Sequence, residues 1–288
     1  MIQDCDYVMD DEGKFYIVRG YWNNEEILVN LVWAPTENGT RFNNITNKNY
    51  TKVIDENIVP IKLNKFSKHF DPREKLRRNY SKIKNTIWGN FVDIFIEIGI
   101  PLEDIGIIGS YLIGFSIEKD IDFVVYGMEN RNKLKENIDK IKSYLNATSI
   151  TKEHIDYQAK KHGALFSNFN TFDKLLCNKW SSIQIGKDLL STIRFVYKEN
   201  EIPEDLFSKN KIRKFEIEGM VANSSGSDFS PRIFEIISGE EKYLVGSYFW
   251  IYQSCVKEGM LVRIKGNLRE GNVITLENFS HGINVLEQ

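Results

Sequence analysis

Between Ile107 and Tyr126 the chain carries Gly109-Ser110 and then, after a gap of nine residues, Asp120-Ile121-Asp122. Side chains alternate along a strand, so Asp120 and Asp122 share one face while Ile121 turns into the core with Phe123 and Val125. Two carboxylates on one face repel each other, and a hard divalent cation relieves that repulsion. Magnesium suits such a pair, since it takes few carboxylates and completes its shell with water and phosphate oxygens; manganese fits as well. Gly109 permits close backbone approach to a phosphate, and Ser110 offers a hydroxyl and a backbone N–H. The chemistry this points to is binding of a nucleoside triphosphate, with Gly109 and Ser110 on the phosphates and Asp120 and Asp122 on the metal.

A lone Asp-x-Asp carries little, and the elements around it give it weight. Leu76, Tyr80, Ile83, Ile87, Phe91, Ile94 and Ile98 recur at steps of three and four, which predicts one long amphipathic helix ended by Gly99 and Pro101. Ile105 to Ile108 reads as a short buried strand and Ile121 to Tyr126 as a second. Helices are expected over roughly 131–145 and 152–180, and a further strand over 193–197. Before this region, alternating runs at Lys14–Val18 and Ile27–Trp33 predict a β-rich module. After it, Leu261 to Leu268 and Val273 to Leu276 flank a turn as a hairpin would, within an expected small barrel. The reading is three modules: 1–70 β-rich, 71–205 catalytic and 206–288 an OB-like β-barrel.

With 288 residues, 42% of them hydrophobic, the chain can bury a sizeable core. A net charge of -2 argues against a polyanion binder acting through its whole surface, so any nucleic-acid site must be local. Two basic runs offer one: Arg73, Lys75, Arg77, Arg78, Lys82 and Lys84 on the predicted helix, and Lys209, Lys211, Arg213 and Lys214 before the barrel. A solvated face is the commoner reading of such runs. Tyr248, Trp250 and Tyr252 alternate as on a strand, for base stacking or for the core. Cys5, Cys177 and Cys255 lack the spacing of a zinc site or a disulfide framework. With no signal peptide or membrane-spanning run, the expected location is the cytoplasm, with no membrane partner.

The run Ile108-Gly109-Ser110 followed by Asp120-Ile121-Asp122-Phe123 resembles the signature of the DNA polymerase β-like nucleotidyltransferase superfamily. Within it the chain looks most like predicted nucleotidyltransferases known mainly from archaea. That likeness extends to Asp6-Tyr7-Val8 with Glu12-Gly13-Lys14-Phe15, to Asp122 through Gly127, and to Phe229 through Phe234. It implies an α+β fold with a polymerase β-like nucleotidyltransferase core. It also implies a third catalytic carboxylate on a neighbouring strand, for which Asp188 is the candidate ahead of Glu118 and Asp156. Lys179 and Arg194 are candidates to reach a triphosphate.

The expected activity is two-metal transfer of a nucleoside monophosphate to a hydroxyl on nucleic acid, protein or a small molecule. A glycosyltransferase also uses Asp-x-Asp beside a diphosphate, but the upstream Gly-Ser argues against it. The non-enzymatic alternative is an inactive nucleotide- or nucleic-acid-binding module.

Overall fold

Near the start of the chain, apolar residues alternate and are buried on both sides of one sheet. Tyr7, Phe15, Ile17, Trp33, Tyr50 and Phe70 pack on one face, and Val8, Val18, Ile27 and Val29 on the other. The strands are β1 (Tyr7–Asp10), β2 (Phe15–Arg19), β3 (Glu26–Pro35), β4 (Arg41–Asn43), β5 (Lys48–Lys52), β6 (Val59–Lys62) and β7 (Phe66–Phe70). They form a seven-stranded half-barrel in the order β4-β5-β3-β2-β1-β7, with β6 also on β3. The computed structural model describes residues 2–20, 25–53, 58–115, 121–162, 179–186, 189–278 and 280–287.

Helix α1 (Pro72–Ile83) starts where Asp71 accepts hydrogen bonds from the N–H groups of Arg73 and Glu74, with Pro72 in the first turn. The single long helix expected here is in fact two. Thr86 donates its hydroxyl to the carbonyl of Ile83 at 2.7 Å and accepts from the N–H of Trp88, which closes α1 and caps α2 (Ile87–Glu97). Apolar spacing of three and four continues across such a break, so periodicity alone does not reveal it. Gly99, at φ +87°, follows the end of α2 as expected.

A five-stranded mixed sheet comes next: β8 (Ile105–Ile108), β9 (Asp122–Tyr126), β10 (Ala147–Ser149), β11 (Ser182–Ile185) and β12 (Leu189–Val196), in the order β10-β11-β12-β9-β8. Strands β8 and β9 are antiparallel, and β9 and β12 are parallel. Helices α3 (Met128–Glu136) and α4 (Ile138–Tyr144) stand between β9 and β10, and α5 (Lys152–His162) follows β10. Of the helix expected over 152–180, Lys152–His162 is helical, 163–178 lie outside the described residues, and Trp180 lies in a turn.

The last strands are β13 (Lys211–Asn223), β14 (Arg232–Ser238), β15 (Glu241–Ser247), β16 (Leu261–Arg269), β17 (Val273–Leu276) and β18 (Gly282–Glu287). Pairing runs β13-β14-β15-β17-β16 and returns to β13, which closes a five-stranded barrel with β18 added on β16. Val221, Phe234, Ile236, Val245, Val262, Ile264 and Ile274 fill its interior. Tyr248 and Tyr252 are not on a strand: they are buried beyond the end of β15, with Tyr252 in a short helical turn. Core packing, rather than base stacking, is their role.

The chain divides into two compact units, one of residues 1–149 and 181–202, the other of 150–180 and 203–288. The expectation of an α+β, polymerase β-like core is overturned. The chain is mostly β, 43% strand against 24% helix, built from a half-barrel, a mixed sheet and a closed five-stranded barrel. The reason lies in the elements just described: two predicted helices are broken into shorter pieces, at Thr86 and at Asn137, and strands supply the layers instead. Among the described residues no helix is long and apolar enough to cross a membrane.

Candidate functional site

Residues alternate along β8 and β9, so the mixed sheet has two different faces. On one, Phe123 of β9 stacks on Phe91 at 5.2 Å between ring centroids and meets Phe95 edge-on. On the other lie Asp122, Val124 and Tyr126 of β9, with Ile108 opposite Asp122 and Gly106 opposite Val124. Strand β12 adds Arg194 and Val196, in register with Val124 and Tyr126. Cys5 packs onto this second face with Ile108, Val124, Tyr126 and Val196.

The Gly-Ser bend sits at the open end of β8. Gly109 has φ +78°, a left-handed conformation that costs an L side chain about 1–2 kcal/mol. A Cβ on it would stand 3.6 Å from Asp122 Oδ2, so the bend and the carboxylate are neighbours. After Ser110 the chain turns tightly: the N–H of Gly114 bonds Tyr111 O and that of Phe115 bonds Ser110 O. The half-barrel pins this turn, because Asn43 Nδ2 donates to Ile113 O at 2.8 Å and the N–H of Asn44 to Gly114 O at 3.1 Å. Leu112, Ile113 and Phe115 are buried in the half-barrel core. The apolar residues following Gly-Ser therefore anchor the bend.

Asp122 Oδ1 accepts the N–H of Thr192 on β12 at 3.0 Å. Ser191 donates its hydroxyl to Ile121 O at 2.8 Å, fixing the start of β9 against β12. Arg194 lies on the Asp122 face, and its buried Nε and Nη1 have no hydrogen-bond partner among the described residues. Burial opposes its charge, yet the nearby Cys5, Tyr7, Asp122 and Asp4 together hold its pKa above the ordinary arginine value. Burial pushes the Tyr7 hydroxyl up to about 12 and lowers the pKa of the buried Arg19, whose Nε donates to Asn30 Oδ1 at 2.6 Å. Asp4 accepts the N–H of Gly20 at 3.0 Å and the Cys5 thiol at 3.2 Å.

Of the sequence candidates, the structure brings together Gly109, Ser110, Asp122 and Arg194. Asp120, Asp188 and Glu118 lie outside the described residues. Asp156 is exposed on α5, and Lys179 is buried; both belong to the second unit. Asp4, Tyr7 and Arg19 were not foreseen. Tyr7 entered the sequence reading only through the Asp6-Tyr7-Val8 likeness, and Asp4, in a turn before β1, and Arg19, at the end of β2, carry no spacing that marks a site. Known protein families, curated proteins and solved structures give no match to this chain.

Among the described residues no three His, Cys, Asp or Glu side chains gather as metal ligands. Asp122 is the one carboxylate of the proposed pair that is described, and a magnesium or manganese site would need Asp120 with it. The described donors alone do not make up a metal centre.

Proposed function

We propose that the first unit binds a nucleoside triphosphate at the Gly109–Ser110 bend and transfers its nucleoside monophosphate to a hydroxyl acceptor. The observation that supports this is the contact of the left-handed Gly109 bend with Asp122. It sets a backbone without side chain against a carboxylate at adjoining strand ends, and such a backbone lets a phosphate oxygen come closest. In the transfer the acceptor oxygen bonds to the α-phosphorus and the bond to the β-phosphate oxygen breaks. Pyrophosphate leaves with the electron pair, and the hydroxyl proton passes to a carboxylate, for which the resemblance offers Asp188 as the candidate. Magnesium or manganese remains the expectation of the Asp120-x-Asp122 spacing. The reading places the protein in the cytoplasm, in keeping with the buried free thiols of Cys5 and Cys255.

A second reading has its own observation. Asp122 already accepts a backbone N–H and lies in the field of Arg194, as a carboxylate in a nucleotide-binding module without turnover would. The two separate on incubation with α-phosphate-labelled triphosphates, magnesium or manganese, and RNA, DNA and protein acceptors. Transfer should appear, stop with a chelator, and fall at least about 100-fold in Asp122→Asn while the variant keeps its fold. Full transfer by Asp122→Asn sinks the assignment. Nucleotide binding without any label transfer selects the second reading.

A further inference from the structure

Charged side chains of the first unit differ in whether anything neutralises them. Arg78 pairs with Glu74, Lys133 with Glu129, Lys140 with Glu97 and Lys198 with Asp104. Lys68 on β7 and Lys75 and Lys82 on α1 have no carboxylate within ion-pair distance among the described residues. Lys75 and Lys82 are seven residues apart, so they share a helix face about 10 Å apart. Lys75 is half-buried with its ammonium 4.7 Å from the centre of the Tyr111 ring, and Tyr111 directly follows Ser110. Burial, then the charges of Lys82 and Lys68, press its pKa below the usual lysine value, so the three cations feel one another.

Close packing seats the stripe at the bend. Gly106 lets α1 descend on the sheet, since a Cβ there would stand 2.6 Å from Pro72 Cβ and 2.8 Å from Val124 Cγ1. Helix α1 therefore lies on the Asp122 face, and its lysines lead to Tyr111 and Ser110. A row of like charges without ion-pair partners among the described residues is complementary to a polymer carrying a negative charge at each repeat, and the rest of this nearly neutral chain provides no general attraction for one.

We infer that Lys68, Lys75 and Lys82 form a docking stripe for the phosphodiester backbone of a single-stranded nucleic acid, whose terminal hydroxyl is delivered to the Gly109–Ser110 bend. A single row of three cations, with the Tyr111 ring beside it, tracks one phosphodiester strand with a face for an unstacked base, and not the two backbones of a duplex. Use of that hydroxyl as acceptor rests on the transfer reading; docking of the strand does not.

The test is fluorescence anisotropy of labelled mixed-sequence RNA and DNA oligonucleotides with the full chain, in chelator and without triphosphate, across a salt series. Wild type should bind. The Lys68→Gln, Lys75→Gln, Lys82→Gln triple variant should bind at least about 10-fold more weakly, and its slope of log affinity against log salt should fall by about 2, at ~0.7 per lost single-strand contact. The Lys68→Gln, Lys82→Gln double variant leaves the half-buried Lys75 in place and should show about two thirds of that slope change, which guards against misfolding of the triple. A charge-matched Lys242→Gln, Lys257→Gln, Lys265→Gln control should bind as wild type.

No binding by wild type, an unchanged slope in both lysine variants, equal weakening in the control, or equally effective competition by polyglutamate would each overturn the inference. Lysine-dependent binding without label transfer removes the enzyme reading alone. Label transfer with binding that ignores these lysines removes this inference alone.

Discussion

The two faces of the mixed sheet are made by the same strands and differ in almost everything else. The α2 face is aromatic and closed: Phe91, Phe95 and Phe123 are fully buried and touch ring to ring. The opposite face holds Asp122, Arg194 and Tyr126, under a cover that includes Cys5, Tyr7 and Arg19. Buried polar atoms without hydrogen-bond partners among the described residues occur there: Arg194 Nε and Nη1, and the Tyr126 hydroxyl. A buried donor left unmet costs roughly 1–3 kcal/mol, so the second face is bought with stability that the first supplies. One residue of register separates a position that holds the fold from one available for chemistry.

Phe123 and Asp122 make the sharpest form of that contrast, being adjacent in sequence and opposite in direction. Phe123→Ala removes a fully buried ring packed on two others, and should lower unfolding free energy by about 3–5 kcal/mol in a denaturant titration. Asp122→Asn should cost less, about 1–2 kcal/mol in the same titration, because the amide oxygen still accepts the N–H of Thr192 while the charge facing Arg194 is lost. Similar losses in both would abolish the distinction between the faces.

Gly106→Ala tests how α1 is held on the polar face. Its new methyl would press on Pro72 and Val124 at distances real side chains essentially never adopt, one contact being with Pro72 backbone at 2.9 Å. Overpacking of this kind costs about 1–3 kcal/mol. The same shift should move Lys75 away from Tyr111, so oligonucleotide affinity should fall along with the melting temperature. A destabilised variant that binds oligonucleotide like wild type would show that the stripe does not depend on the seat.

How much of this was legible depends on the signal each residue carries. The strands at Ile105 and Asp122, the bend at Gly109 and the stop at Gly99 were readable, because a φ near +80° and a buried β-branched run constrain residue type locally. The break at Thr86 was not, since its cap is one hydroxyl between two apolar turns that keep perfect helical spacing. The class of the whole fold was misread for a related reason: a motif fixes a few strands and a bend, and says nothing of how many strands surround them. Nor could spacing reveal that Arg19 lies close to Arg194, 175 positions away, because that proximity exists only once the half-barrel covers the sheet.

The smallest expected effect lies at the rim of the polar face, and pH exposes it. His69 Nε2 is 2.7 Å from Asp6 Oδ2, with the Asp6 side chain 2% exposed and that of His69 39% exposed. Hydrogen bonding to Asp6 holds the His69 pKa above its ordinary 6.5, although burial pulls the other way. A histidine raised on folding contributes stability that is complete below its unfolded pKa, near 6.5, and that is lost as pH rises through the higher folded value. Burial raises the Asp6 pKa above 3.8, so its own contribution also lies on the acid side and fades as pH climbs through its folded value. His69→Gln keeps a donor for Asp6 but cannot gain charge. Allowing for solvent screening of the exposed imidazole, the variant should be less stable than wild type by about 1 kcal/mol at pH 5.5. The gap should narrow steadily towards pH 8.5, where histidine and glutamine offer Asp6 the same neutral hydrogen bond. A gap that stays constant with pH would mean that His69 supports the rim by packing, and that its charge plays no part.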